Sequence, residues 1–269
     1  MGEAGVQTMM WQDCSWEEIP ARLARAAQAA ILPVGATEQH GPQLGTGVDF
    51  VLADRLCRAA SDRTQVPMLP AIPYGCSLGH SRRWPGTLAV QPITLIQFIK
   101  DIGDWAYCSG VRRLFIVNTH VTNAAPLRCA LEMLRAGYDD LMVAVINSAE
   151  ISARVRDFHF ADGADWHAND AETSLMQALA PELVRPHRLG AADDPDRTGG
   201  LVFAHPVNRT SSNGVTGKPS IATVEKGALW FSWMVEDLSA AIARGLAEKP
   251  PLPHSYFASV NGDSHEYDG

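Results

Sequence analysis

The chain has 269 residues, 46% of them hydrophobic and 19% charged, and a formal net charge of −8. That length and balance suit one α/β domain over residues 1–269 with a substantial buried core, and exclude the low-hydrophobicity, high-charge composition of disorder. An acidic chain with no helix-length run of Lys and Arg lacks the electrostatic footprint of a nucleic-acid binder, and no apolar stretch approaches the ~20 residues that span a bilayer.

The opening MGEAGVQTMMWQDCSWEE has neither a basic start nor an apolar signal core, which argues against secretion and membrane insertion. Cys14, Cys57, Cys76, Cys108 and Cys129 are scattered without a CxxC pair, so they read as reduced structural thiols of a cytoplasmic protein.

The first strand signal is AAILPVG at 29–35. The loop GATEQHGPQLGTGVD follows, stringing Glu38, His40 and Asp49 among glycines and small polar residues. Glu38 and His40 are two apart, so an extended backbone points them the same way. Gly41, Gly45 and Gly47 let the chain turn to bring Asp49 back. Asp49 also stands where the N-cap of FVLADRLCRAA belongs, a role that needs no metal and is compatible with one.

A second strand is expected in VPMLPAIPYG at 66–75. In SRRWPGTLAV, the pair Arg82 and Arg83 ahead of Trp84 can clamp a substrate carboxylate or phosphate, or serve as a solvated or subunit-bridging pair. Leu95, Phe98, Ile99, Ile102 and Trp105 recur at helical spacing and predict a stripe buried against a sheet. RRLFIVN at 112–118 reads as a third strand leading to His120. TNAAPLRCALEMLRAG reads as a helix closed by Gly137, and LMVAVINS at 141–148 as a fourth strand.

DWHANDAETS, from Asp165 to Ser174, sets His167 and Glu172 five apart at a helix start, with Trp166 beside the histidine. ATVEKGALWFSWMVEDLSAAIARGLAE predicts a long helix interrupted early by Gly227, with Trp230, Met234, Leu238 and Ile242 in one stripe. From about 249 onward the chain reads as an extended tail or an arm on a neighbouring subunit.

Strands alternating with helices predict an α/β three-layer sandwich, a mainly parallel sheet flanked by helices that binds ligands beyond its carboxyl strand ends. The acidic and histidine-bearing loops fall at those ends. Mixed imidazole and carboxylate sets suit Zn²⁺, Mn²⁺ or Fe²⁺, which polarise a carbonyl and lower the pKa of water toward about 7. His167 suits proton transfer to a leaving nitrogen, or simply caps its helix.

LPVGATEQHGP followed by Asp49 resembles the first motif of the creatininase-like amidohydrolases. SRRWPGTLAV is similar to the family's (F/W)PGTL segment, NTHVTN stands for NGHGGN, HANDAETSLM for HAGxxETSxM, and SSNGVTGKPSIATVEKG for the late G(V)xGxPxxAxxEKG stretch. The likeness runs in order over roughly residues 16 to 245. It implies a parallel-sheet sandwich assembled as a homo-oligomer, with a hexamer favoured, two divalent metal ions (Zn, Mn or Fe) and no organic cofactor.

By the same resemblance Glu38 and His120 bind one ion, His40 binds the other, and Asp49 bridges them. Some members carry a glutamate where Thr122 stands, and Glu172 is expected to complete the second site in its place. His167 matches the proton-transferring histidine. Thr119, Val121 and Thr122 make the pocket floor bulkier than the family's glycines do, so the expected small-molecule substrate is a cyclic amide or lactam other than creatinine. Thr122, Arg82, Trp84 and Trp166 are its candidate contacts. Alternatives are a formamide hydrolase, a peptidase acting on the C-terminus of a modified peptide, a metal-dependent sugar or hydroxyacid isomerase or aldolase, and a non-catalytic assembly subunit.

Overall fold

Runs of aliphatic and β-branched side chains form three strands in the computed structural model, which describes residues 9–80, 82–252 and 255. These are β1 (Ala29–Val34), β2 (Arg113–Asn118) and β3 (Met142–Asn147), paired in parallel in the order β1-β2-β3. Ala29 pairs with Arg113 and Arg113 with Met142, so the carboxyl ends at Val34, Asn118 and Asn147 lie level. The main helices are α1 (Ile19–Arg25), α2 (Val48–Thr64), α3 (Pro92–Cys108), α4 (Ala124–Gly137), α5 (Ala153–His159), α6 (Asp170–Leu179), α7 (Val207–Thr210) and α8 (Val224–Ala247).

The period of two along each strand sorts the core into two faces. Ile31, Phe115 and Val117 pack with α2, α6 and α8, whereas Leu32, Leu114 and Ile116 pack with α1, α3 and α4. Helices therefore cover both faces of a parallel sheet, as the alternation of elements requires. No helix among the described residues is long and apolar enough to cross a membrane.

Three local expectations are corrected. Residues 66–75 lie beside β1 but keep only isolated parallel pairings, Met68 with Ile31 and Ile72 with Val34. Pro67, Pro70 and Pro73 have no N–H to give to a ladder, so the segment bonds intermittently, Leu69 N donating to Ile31 O at 2.8 Å and Ile72 N to Pro33 O at 3.0 Å. The stripe on α3 is rotated: Leu95, Ile99, Gly103 and Ala106 are buried, while Phe98 and Trp105 are 46% and 73% exposed. α4 approaches at Gly103, where a Cβ would lie 2.6 Å from a Leu134 methyl, and this close approach fixes which side faces inward.

Gly227 does not interrupt α8, which runs unbroken from its Thr223 cap. The glycine is there because α6 crosses at that point, and a Cβ would stand 1.8 Å from the Ser174 carbonyl oxygen. Neither backbone can yield cheaply. Gly227→Ala is therefore expected to destabilise the fold by about 3 kcal/mol or more, read as a lower denaturant midpoint at unchanged m-value. The expected tail falls mostly outside the described residues.

Candidate active site

Just past β1 the chain turns sharply: a Cβ on Gly35 would meet the Phe50 backbone at 2.7 Å, and Glu38 N donates to Thr46 O at 2.9 Å. The loop therefore folds back on itself and delivers Asp49 to the first turn of α2. Gly47, not Asp49, is the N-cap of that helix. The Asp49 carboxylate turns inward instead, its Oδ1 3.5 Å from His40 Nε2 and its Oδ2 3.5 Å from His120 Nδ1. A carboxylate in a first helical turn is also favoured by the helix dipole.

Main-chain carbonyls set the orientation of three imidazoles. A carbonyl oxygen only accepts, so the ring nitrogen bonded to it carries the hydrogen. His40 Nδ1 donates to Glu38 O at 3.2 Å, which leaves Nε2 free between Asp49 and Glu172, each 3.5 Å away. His120 Nε2 donates to Cys76 O at 2.9 Å and leaves Nδ1 toward Asp49, with the Thr122 hydroxyl also 2.9 Å from Nε2. His167 Nε2 donates to Gln39 O at 2.9 Å and leaves Nδ1 3.6 Å from Glu38 Oε1. The backbone of His167 is itself held on both sides, N to Thr216 O at 3.0 Å and Thr216 N to its own O at 2.8 Å.

Glu172 comes from the start of α6. The Asn169 side chain caps the helix by accepting from Glu172 N, while Glu172 Oε2 reaches back to accept from Ala168 N at 2.5 Å. Its other oxygen faces His40.

Glu38, His40, Asp49, His120 and Glu172 are all at most 5% exposed. Both Glu38 oxygens, Asp49 Oδ2 and His40 Nε2 have no hydrogen-bond partner among the described residues. Three buried carboxylates facing imidazoles are costly unless a metal cation or added protons balance their charge. Burial opposes protonation of His40, yet Asp49 and Glu172 outweigh it and hold its pKa well above the ordinary histidine value. His120 is likewise raised against burial, by Glu38 and Asp49. Against its own burial, Glu172 is brought down to about 2, chiefly by His40.

The donor set fits divalent metals of the Zn, Mn and Fe type. Three groups can hold an ion, each with ligand atoms within 4.8 Å of one another: Glu38, Asp49 and His120; His40, Asp49 and Glu172; and Glu38, His40 and His167. Asp49 belongs to the first two.

A cavity of about 290 Å³ opens over this cluster, and Thr122, Trp166, His167 and Glu172 line it. Arg82 and Trp84 do not. Their loop is strapped aside by Arg83, whose guanidinium donates to the carbonyls of Asn208, Ser211 and Ser212 at 3.3, 3.1 and 2.9 Å. The structure also brings in residues the sequence did not single out. Gln39 donates to His80 Nδ1 at 2.8 Å and to Gly214 O at 3.0 Å, and the His80 ring stands 4.5 Å from that of His167. Burial and the neighbouring imidazoles depress the basicity of His80. Gln39 lies between Glu38 and His40, a position in the sequence that points to the site; His80 stands apart from any such pattern.

The Creatininase family model, described as creatinine amidohydrolase, matches residues 12–242. Creatinine amidohydrolase of Pseudomonas putida is 31% identical over 256 residues, covering 89% of this chain and 96% of its own. The mycofactocin precursor peptide peptidase of Mycobacterium ulcerans is 31% identical over 261 residues, covering 91% of this chain and 92% of its own. The solved structure "Creatininase Mn" superposes with a TM-score of 0.77 at 29% identity, over 90% of this chain and all of that one.

Proposed function

The chain belongs to the creatininase family and is a hydrolase of carbon–nitrogen bonds, and from that premise we propose that it opens a small cyclic amide, lactam or imide-type ring at a dinuclear metal centre. The observation that carries this reading is the buried set of inward-facing, unpartnered carboxylate oxygens and ring nitrogens around Asp49. Glu38 and His120 would hold one ion, His40 and Glu172 the other, with Asp49 shared. Bound divalent ions supply a lowered water pKa and polarisation of the substrate carbonyl.

The chain's own residues do the rest. His167 keeps Nε2–H on the Gln39 carbonyl, so Nδ1 is the atom that takes the proton from water and passes it to the leaving nitrogen. Water oxygen bonds to the carbonyl carbon, the C–N bond breaks, and the proton ends on nitrogen. Trp166 walls the cavity, and Thr122 supplies a hydroxyl beside His120. A ring of subunits, with a hexamer expected by light scattering, belongs to the same reading; the exposed Ile93, Phe98 and Trp105 on α3 are apolar surface suited to such contacts.

A second reading, cleavage near the C-terminus of a modified peptide, is favoured by the likeness to the mycofactocin precursor peptide peptidase. Incubating the metal-loaded protein with lactams and imides, formamides and C-terminally modified peptides, followed by mass spectrometry, distinguishes these readings. Gain of one water by a ring substrate supports the first, and two peptide fragments support the second. An isomeric product with no water added would indicate an isomerase, and no turnover with no bound metal a silent subunit. Glu172→Gln is expected to reduce bound metal from two ions to one per chain, measured by elemental analysis.

A further inference from the structure

A second chamber of about 120 Å³ lies against the reaction cavity. Thr119, His120, Val121, Phe160 and Trp166 line both spaces. The chamber owes its room to small side chains, Ala124, Ser148 and Ala149, set between the carboxyl ends of β2 and β3. At its far end two amides are occupied with their surroundings: Asn118 Nδ2 donates to Asn147 Oδ1 at 3.0 Å and to His120 O at 2.8 Å, and Asn147 Nδ2 donates to Glu150 at 3.2 Å. The rest of the lining is mainly apolar, from Val121, Ala124, Ala149, Phe160 and Trp166, with Thr119, Ser148 and Glu150 adding polar atoms. Among the described residues no Lys or Arg lines the second chamber, so its wall offers no cationic side chain to a carboxylate or phosphate.

Position decides which part of a substrate reaches the chamber. His120 is in its wall but His167 and His80 are not, so it opens away from the imidazole assigned to the leaving nitrogen. We propose that it is a subsite for an uncharged apolar arm, aliphatic or aromatic, on the acyl half of the substrate. The physiological substrate is then a substituted amide or lactam and not a bare ring. An apolar cavity of roughly 150 Å³ accommodates benzene, so this chamber takes a branched aliphatic group or most of a phenyl ring. The inference rests on the amidohydrolase reading above.

Acetohydroxamic and phenylacetohydroxamic acids share a metal-chelating head and differ only in the acyl arm, so calorimetric titration of the zinc-loaded protein with each isolates the chamber. The phenyl compound is expected to bind about tenfold tighter or better, within the usual range for filling an apolar pocket. Val121→Phe, at a position 64% exposed where bulk is tolerated by the fold, and Ala149→Leu should each bring the two affinities to within about threefold of one another. Equal affinities in the unsubstituted protein, or a preference unchanged in both variants, would overturn the subsite. If neither acid binds, the metal-centre reading fails and the subsite with it, an outcome distinct from equal binding of both.

Discussion

Asp49→Asn is expected to lower activity by roughly a thousandfold or more, about 4 kcal/mol of transition-state stabilisation. The change keeps the shape of the side chain and removes one charge at the point where two candidate ligand groups meet. Its two oxygens face different histidines, so no neighbour can substitute for both. The stability cost should be much larger with metal than without. In the metal-free protein the variant relieves repulsion among three buried carboxylates but gives up the attraction by which Asp49 raises the pKa of His40 and His120, so it should melt close to the parent. In the presence of metal at a hundredfold its dissociation constant, the parent gains about 2.7 kcal/mol that the variant largely forfeits. Thermal melts of both proteins, with and without zinc, read all four states. A variant that loses as much stability in the metal-free state as in the loaded one would mean that Asp49 serves packing alone.

His167→Gln is expected to reduce kcat by roughly 10²- to 10⁴-fold, the usual contribution of a positioned proton carrier, while bound metal stays at the parent value. The alternative is specific, because His167 also forms a group with Glu38 and His40 that can hold an ion. Loss of metal along with activity would make His167 a ligand and remove it from proton transfer. KM should change less than kcat, since the ring stands at the cavity wall with its backbone fixed by Thr216.

The elements that sequence reveals best here are those decided locally. β1, β2 and β3 are dense apolar runs, and their alternation with helices leaves few architectures open. Glu38, His40, Asp49, His120 and Glu172 were legible because each lies just beyond a strand end or at a helix start with a recognisable pattern around it. Features decided by a distant partner were not legible. Gly227 reads as a helix breaker until α6 is known to cross it, and the buried side of α3 is set by Leu134 approaching Gly103. Arg83 resembles a substrate clamp until the carbonyls 125 or more residues away claim its guanidinium. In 66–75 the apolar run favours a strand, but Pro67, Pro70 and Pro73 lack the donors a continuous ladder needs.

The three carbonyls that orient His40, His120 and His167 belong to Glu38, Cys76 and Gln39, but they are peptide groups and not side chains. A point mutation at Cys76, whose side chain donates and accepts no hydrogen bond in the site among the described residues, changes what hangs from the backbone while the acceptor is still a peptide carbonyl. The ring tautomers are thus insulated from much of the substitution that reshapes the surrounding walls. A scaffold built this way can exchange Val121, Ala149 or Trp166 and so drift between substrates over evolutionary time, while the geometry of the reactive centre is inherited with the path of the main chain.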